Sequence, residues 1–133
     1  MGDPEGQVIF PRLETDVCEL FLGAARGELI QNSISWRGCA VGVVLASAKY
    51  PERESICEQM TGPIRYGESG SGVDVFHATT LREGSNIYAL GGRIVTVVGR
   101  GIHYSFARER AYDTVARIEF NGMRYRTDIA ASV

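Results

Sequence analysis

The spacing of apolar residues near the start of the chain predicts a helix from Pro11 to about Arg26. Proline is tolerated in the first turn of a helix, and Gly27 supplies a stop after the last turn. Two acidic residues near its start, Glu14 and Asp16, suit the positive end of the helix dipole. Apolar residues recur three or four positions apart: Leu13, Val17, Leu20, Phe21 and Ala24. This pattern is typical of one amphipathic helix.

Downstream of this helix, short apolar runs predict β-strands. The run Ala40–Ala46 is brief and rich in valine, which fits a buried strand. Residues 47–72 carry glycines, prolines and many charges and predict a long loop. Three further strand candidates follow as a meander: Val73–Thr80, Asn86–Leu90 and Arg93–Val98. The turn at 82–85 would join the first two, and Gly91-Gly92 would form a two-residue hairpin loop, since positive φ is needed there.

A second helix is predicted from about His103 to Ile118, because apolar residues again lie three or four apart on one face. They are Tyr104, Ala107, Ala111, Val115 and Ile118. The tail, Phe120–Ile129, is a candidate for a last strand. The predicted fold class is therefore α+β, with one helix, a small mostly antiparallel β-sheet and a second helix packed on it.

Composition and charge narrow the class of protein. Of its 133 residues, 44% are hydrophobic and 23% are charged, as in one soluble globular domain. The net charge of −2 indicates neither nucleic acid nor an anionic membrane as a partner. No apolar run approaches the roughly 20 residues that cross a bilayer, and no signal-peptide pattern is present, which predicts a cytoplasmic protein. Three cysteines, Cys18, Cys39 and Cys57, lack metal-ligand spacing and are predicted to be buried free thiols.

Two places in the predicted strands could carry chemistry. His77 could act as a general base or a substrate donor, but a lone strand histidine is more often a hydrogen-bonded structural residue, and we favour that interpretation. The stretch Gly91-Gly92-Arg93 could bring backbone amides and a guanidinium to a phosphate. A hairpin needs the glycines in any case, and surface arginines are common, so both alternatives stay open. His103 lies near a predicted helix start and is a weaker candidate for a catalytic or substrate-binding role.

The polar turn from Gly2 to Glu5 is a third candidate. Its carboxylates, Asp3 and Glu5, lie two residues apart, where they could hold an amine or sit beside Mg²⁺. A solvated turn explains the same residues more simply. The sequence carries none of the common nucleotide-binding, nucleophile-elbow or zinc-protease motifs.

Several stretches of the chain resemble one enzyme family in order and spacing. The stretch GDPEGQVIFPRLETD is similar to the segment GDPE-[TC]-Q-V-I-x-P-R-L-x-[ST]-D of phosphoribosylamine–glycine ligases, which are ATP-grasp enzymes of purine biosynthesis. Further stretches look like later parts of the same family, namely VVLASAKYP, VDVFHATTL, LGGRIVTVVG, ARERAYDTVARIEFNG and YRTDIA. Together they cover essentially the whole chain, and their common register makes the resemblance specific.

The resemblance implies a division of the chain and a reaction. Residues 1–30 would be the end of an ATP-grasp domain, and residues 31–133 the C-terminal domain of such a ligase. The complete enzyme would join glycine to 5-phosphoribosylamine and convert ATP to ADP and phosphate. ATP and Mg²⁺ would serve that complete enzyme, with no cofactor expected for this portion alone. The ATP-binding lobe, with the metal ligands, would be supplied in cis or in trans.

The resemblance also implies two groups of substrate-binding residues. The first would line the acceptor-substrate side near the magnesium ion: Asp3, Pro4 and Glu5. The second would lie in the C-terminal domain and face the cleft: His77, Thr80, Gly92 and Arg93. Neither group is a complete catalytic set.

The chain departs from the family where glycines are replaced, which predicts that backbone conformations reserved for glycine are lost or relaxed there. The replacements are Ala48, Lys49, Thr79 and Ala130. They leave a second hypothesis open, a non-catalytic binding or accessory module derived from the same domain. Under both hypotheses, the apolar side of the helix Pro11–Arg26 should be exposed, because in the family it packs on the ATP-binding lobe. We therefore expect the isolated chain to self-associate or to be marginally stable.

Overall fold

The computed structural model describes residues 2–28, 34–65 and 72–133. The helices in these ranges are α1 (Glu5–Ile9), α2 (Val17–Arg26) and α3 (Tyr104–Val115), with a 3₁₀ turn at Phe10–Arg12. The strands are β1 (Cys39–Ala46), β2 (Glu58–Met60), β3 (Val73–His77), β4 (Thr80–Glu83), β5 (Asn86–Ala89) and β6 (Arg93–Gly101). This arrangement confirms the predicted α+β class. The proposed domain boundary at residue 30 lies outside the described residues.

The described strands form two antiparallel sheets, β1-β6-β3 and β2-β5-β4. Strands β3 to β6 make one long hairpin that bends in the middle, so that β3 and β6 pair in one sheet and β4 and β5 pair in the other. The tip of this hairpin is Gly84-Ser85, between the paired residues Glu83 and Asn86. The short loop therefore lies at the tip of the hairpin, within the turn predicted at 82–85.

The two-residue hairpin predicted at Gly91-Gly92 is wrong, because the flanking strands β5 and β6 lie in different sheets. Both glycines do have positive φ, 115° and 70°, as the pattern required. They lie at the bend of the long hairpin, where Ala78 and Thr79 form the opposite arm. The strand predicted over Val73–Thr80 is interrupted at this same bend.

Strand β6 lies at the centre of the first sheet and is buried over most of its length, because both faces of the sheet are covered. On one face, α3 packs so closely that a Cβ at Gly99 would overlap the backbone of Ala107. On the other face, the side chain of Val8 in α1 lies over Gly42 of β1. The core joins both sheets to α3 and includes Val43, Leu45, Met60, Ile87, Ile94, Val97, Val115 and Ile118.

The helix predicted to start at Pro11 begins instead at Val17. Asp16 is its N-cap, and its Oδ1 accepts a hydrogen bond from the backbone N–H of Cys18 at 2.7 Å. The preceding residues are held away from a helical path, since Leu13 forms an antiparallel bridge with the segment that leads into β1. An N-cap preference of aspartate is the signal that would have placed this boundary.

Other predicted boundaries differ by less. Gly27 ends α2 in a left-handed conformation with φ of 73°, as predicted. Helix α3 ends at Val115 and not at Ile118, although Ile118 is buried in the core. The predicted loop 47–72 contains β2, and its residues 66–71 lie outside the described part. The tail Phe120–Ile129 forms a single bridge to β1 and no further strand.

Candidate functional site

Asp3 and Arg93, which are far apart in sequence, form an ion pair. Arg93 Nη2 lies 3.1 Å from Asp3 Oδ2, and Arg93 Nη1 donates to the backbone carbonyl of Asp3 at 2.9 Å. The other carboxylate oxygen, Oδ1, accepts a hydrogen bond from Gln7 Nε2 at 2.9 Å. The structure thus brings together one residue from each of the two predicted substrate-binding groups.

Pro4 and Glu5 follow directly and turn the chain into α1. Pro4 is partly buried beside the ion pair, after a cis peptide bond. Glu5 is exposed in the first turn of α1, and its carboxylate folds back over Gly2. The turn therefore presents one carboxylate, that of Glu5, next to another that is already paired.

His77 and Thr80 form a second group at the bend of the long hairpin. His77 Nδ1 lies 3.0 Å from Thr80 Oγ1, and His77 Nε2 lies 2.9 Å from the carbonyl oxygen of Ile64. Because a carbonyl only accepts, Nε2 carries the proton and Nδ1 accepts from the threonine hydroxyl. Burial lowers the pKa of His77, and the bond to Ile64 opposes this in part. Both ring nitrogens are engaged, which agrees with the structural interpretation favoured for this histidine.

Gly92 makes a reciprocal pair of hydrogen bonds with Ser47, which follows β1 and is fully buried. The N–H of Gly92 donates to Ser47 Oγ at 2.9 Å, and the N–H of Ser47 donates to the carbonyl of Gly92 at the same distance. Thr79 bridges from the opposite arm, since its hydroxyl donates to the carbonyl of Arg93 at 2.8 Å. The sequence analysis did not identify Ser47 or Gln7. Their position as polar residues next to predicted turns is the signal that could have indicated these roles.

The predicted C-terminal-domain residues converge on this bend. Gly92 and Arg93 enter β6, and His77 pairs with Val95 two residues further along β6. Thr79 connects the two arms, because its backbone N–H also donates to Arg93. The Asp3–Arg93 pair and the His77–Thr80 pair are thus two hydrogen-bonded groups at one end of the first sheet.

Most polar groups at the bend are satisfied within the chain. The amide of Gly92 donates to Ser47, and the guanidinium of Arg93, which is 40% exposed, bonds to Asp3. Across the residues that the structure describes, no three His, Cys, Asp or Glu side chains come together as a metal site. Both carboxylates of the turn are exposed, and that of Asp3 is paired with Arg93.

The cysteines are free thiols, as predicted, but the predicted burial is wrong, because none of the three is buried. Cys18 and Cys57 are exposed, and Cys39 is intermediate. Cys18 is exposed because it lies on α2, which contributes no buried residue, and Cys57 lies just before the short strand β2.

An apolar surface runs along α2 and its neighbours. Of the predicted apolar pattern it includes Phe21, whereas Leu13, Val17 and Leu20 are partly buried. Phe21 is 58% exposed and Leu22 is 49% exposed, and Phe10 contacts Phe21 edge to face with ring centroids 6.3 Å apart. Trp36, under the guanidinium of Arg12, is also exposed. We call these four aromatic and aliphatic residues, Phe10, Phe21, Leu22 and Trp36, the α2 surface. Over the described ranges, no helix has the length and apolar character that crossing a bilayer would require.

The glycine replacements have different structural outcomes. Ala130 keeps a left-handed backbone with φ of 53°, so the conformation that favours glycine is retained there and is not relaxed. Thr79 does not have positive φ, and its side chain makes the bond to Arg93 described above. The prediction of relaxed backbone is therefore wrong at Ala130.

Comparison with known proteins places this chain. The sequence profile of the family described as "Phosphoribosylglycinamide synthetase, C domain" matches residues 40–132. The chain is 42% identical over 134 residues to the phosphoribosylamine–glycine ligase of Leifsonia xyli subsp. xyli, which covers 98% of this chain and 32% of that protein. It is 41% identical over 133 residues to the chloroplastic phosphoribosylamine–glycine ligase of Arabidopsis thaliana, covering 96% of this chain and 24% of that protein.

A solved structure is similar over the same extent. The crystal structure of the phosphoribosylamine–glycine ligase of Thermotoga maritima has a TM-score of 0.80 and 30% sequence identity, covering 97% of this chain and 31% of that one. The chain therefore spans about a quarter to a third of the length of these relatives. With the profile match over most of its length, the chain belongs to the phosphoribosylglycinamide synthetase C-domain family.

Proposed function

We propose that this chain supplies the C-domain side of a phosphoribosylamine–glycine ligase active site. The observation that carries the proposal is the sequence identity of 42%, over 98% of the chain, to a protein of that name. The proposed reaction joins glycine to 5-phosphoribosylamine as ATP is converted to ADP and phosphate, in de novo purine biosynthesis. Residues 1–30 would belong to the ATP-grasp part of that enzyme and residues 31–133 to its C-terminal domain.

The described residues do not fit a nucleotide-bound Mg²⁺ ion by themselves. Both carboxylate oxygens of Asp3 are engaged, by Arg93 and Gln7, and in the described ranges no three His, Cys, Asp or Glu side chains form a group that could hold a metal ion. We therefore assign ATP and Mg²⁺ to a separate lobe, present in cis or in trans, and derive no step through them here.

The contribution proposed for this chain is to bind and orient the acceptor substrate. Glu5 follows the turn that Asp3 and Pro4 anchor, and its exposed carboxylate is suited to an amine. His77, Thr80, Gly92 and Arg93 shape the bend that backs this turn. A rigid wall of this kind would also limit access of water to a reactive acyl phosphate, which such a ligation needs.

We also propose that the ATP-binding lobe packs on the α2 surface. Helix α2 has an apolar side and no buried residue, so its large side chains gain little from the fold as it stands. Apolar surface of this kind favours a covering partner. The relatives are about three to four times as long as the chain, which supplies an occupant of the required size.

A chimeric enzyme tests the catalytic proposal. The segment of the Leifsonia xyli ligase that aligns with this chain is replaced by residues 1–133, and ADP formation is measured with glycine and 5-phosphoribosylamine present or omitted. We expect turnover that requires both substrates. A folded chimera that binds ATP but shows no substrate-dependent turnover would contradict the proposal.

Charge-neutral variants of the chimera locate the site. Glu5→Gln should lower kcat/KM about tenfold or more, because it removes a charge-assisted contact to the amine. Glu83→Gln, at the distant tip of the long hairpin, is the matched control and should leave the rate unchanged. Equal effects of the two variants would remove Glu5 from the proposed site.

The second candidate function is a non-catalytic binding module that retains the α2 surface. The replacement of family glycines by Ala48, Lys49 and Thr79 favours it. Binding to an ATP-grasp lobe without rescue of turnover would support this alternative. Double substitution of Phe21 and Leu22 by Glu should abolish that binding, and should also abolish any self-association of the isolated chain in sedimentation experiments.

A cytoplasmic location stays a prediction, and one similar plant protein is named as chloroplastic.

A further inference from the structure

Arg93 connects three parts of the molecule through different groups. Its guanidinium bonds to the carboxylate and the backbone carbonyl of Asp3. Its own carbonyl accepts bonds from the amide and the hydroxyl of Thr79, on the opposite arm of the hairpin. Its backbone lies in β6 opposite Ala46 of β1. Arg93 is therefore held firmly at its backbone and reaches from the sheet to the N-terminal turn.

Asp3 in turn connects Arg93 to α1. Its Oδ2 faces the guanidinium, and its Oδ1 accepts from Gln7 on the next turn of chain. Helix α1 is also placed on the sheet by Val8, which lies over Gly42. The backbone that carries Glu5, between Asp3 and Gln7, is thereby held on both sides, and the Glu5 carboxylate lies over Gly2.

We propose that Arg93 is a positioning residue that latches the Asp3-Pro4-Glu5 turn to the start of β6 and so orients Glu5 toward the acceptor substrate. The role of Glu5 rests on the proposed function, whereas the latch itself does not. Arginine suits this task because its planar guanidinium donates two bonds to separate acceptors of one residue, which the single ammonium of lysine does less well. This assignment replaces direct substrate binding by Arg93 with an indirect action through the turn.

Hydrogen exchange on the chain of residues 1–133 tests the latch, that is, the contact of Arg93 with the Asp3-Pro4-Glu5 turn, and requires no enzyme assay. Arg93→Ala should speed exchange of the α1 amides, Gly6 to Ile9, about three- to tenfold, as expected for loss of a partly exposed ion pair and its neutral bond. Amides of β1 and β6 should be unaffected. The matched control is Arg126→Ala, which removes an exposed pair with Asp128 that is local in sequence. Unchanged α1 exchange, or an equal increase in β6, would overturn the latch.

A charge swap separates a specific pair from general loss of structure. Asp3→Arg and Arg93→Asp should each speed α1 exchange, and the two together should bring the rates back toward those of the unmodified chain. A double variant whose effect equals the sum of the single effects would mean that the two side chains are not coupled. That result would also overturn the latch.

Rates of the chimeric ligase then test positioning through Glu5. If Arg93 acts through Glu5, Arg93→Ala should lower kcat/KM in the parent but add nothing in a Glu5→Gln background. Additive losses would show that Arg93 acts on the substrate directly and would overturn the positioning role. An inactive parent chimera would contradict the proposed function, while the exchange experiments would still decide the latch.

Discussion

The N-terminal segment, residues 2–28, and the sheet body, residues 39–65 and 72–133, differ in how their side chains are buried. In the sheet body, Leu45, Ile94 and Val97 are completely enclosed. In the N-terminal segment, none of the described residues is buried, and the large side chain of Phe21 faces outward. Two neighbouring parts of one chain thus rely on different forces.

The sheet body is stabilised mainly by apolar burial, whereas polar contacts largely place the N-terminal segment. Asp3 binds Arg93, and Glu14 accepts hydrogen bonds from Ser35 Oγ and Arg37 Nε at 2.8 Å each. The bonds from Ser35 and Arg37 lower the pKa of Glu14. Exposed pairs of this kind contribute little to stability, so the segment gains most from a partner that covers it. The comparison therefore supports assigning the α2 surface to an interface.

Matched leucine truncations should give the largest contrast between the two regions. Leu45→Ala should lower the free energy of unfolding by about 2–5 kcal/mol, because it leaves a cavity in the core. Leu22→Ala in α2 should change it by no more than about 0.5 kcal/mol, since that side chain is half exposed. Urea unfolding followed by circular dichroism measures both. Equal losses would show that α2 is part of the same cooperative core, contrary to the comparison.

Removal of the α2 N-cap should act locally. Asp16→Ala should destabilise α2 by about 1 kcal/mol, because the N–H of Cys18 loses its acceptor. Hydrogen exchange of the α2 amides should quicken about fivefold, as that energy implies. The unfolding midpoint of the sheet body should stay the same. The control is Asp113→Ala, on the exposed side of α3. If Asp16→Ala lowers the unfolding midpoint of the sheet body and Asp113→Ala does not, α2 and the sheet body do not unfold independently, which would contradict the prediction.

A glycine introduced at position 130 should stabilise the sheet body slightly. Ala130 has φ of 53°, and relief of about 1–2 kcal/mol of left-handed strain would be opposed by the greater freedom of glycine in the unfolded chain. We expect a net gain of roughly 0.5 kcal/mol for Ala130→Gly. Ala131→Gly, at a neighbouring residue without positive φ, should instead destabilise. Thermal unfolding compares the stability of the two variants. A loss of stability in both would contradict backbone strain at Ala130.

The smallest expected effect is a pH dependence from His77 in the sheet body. Burial lowers the pKa of His77 in the folded protein below its unfolded value of about 6.5. As pH falls through 6.5, the unfolded chain takes up a proton that the folded chain does not, so stability should fall and then level off below the folded pKa. Relative to His103→Gln, the His77→Gln variant should show a weaker fall in urea experiments. An unchanged pH profile would mean that His77 does not titrate differently on folding.

Prediction from sequence succeeded where a residue's role depends on its near neighbours. The strand Ala40–Ala46 and the helix stop at Gly27 were correct to within a residue, because burial and glycine geometry leave local patterns. The start of α2 was misplaced, since the extended pairing of Leu13 with Trp36 overrides the helical spacing around Pro11. The candidate residues at the bend were named, but their mutual contacts were not.

By itself, the sequence determined the α+β class, the positive φ of Gly91-Gly92 and the apolar side of α2. The tertiary structure alone decided that β5 and β6 part into two sheets and that Asp3 meets Arg93. The physical reason is the separation along the sequence. Periodicity within one helix or strand indicates which of its sides is apolar, whereas pairing between segments that are distant in sequence depends on how helices and sheets pack around a shared core.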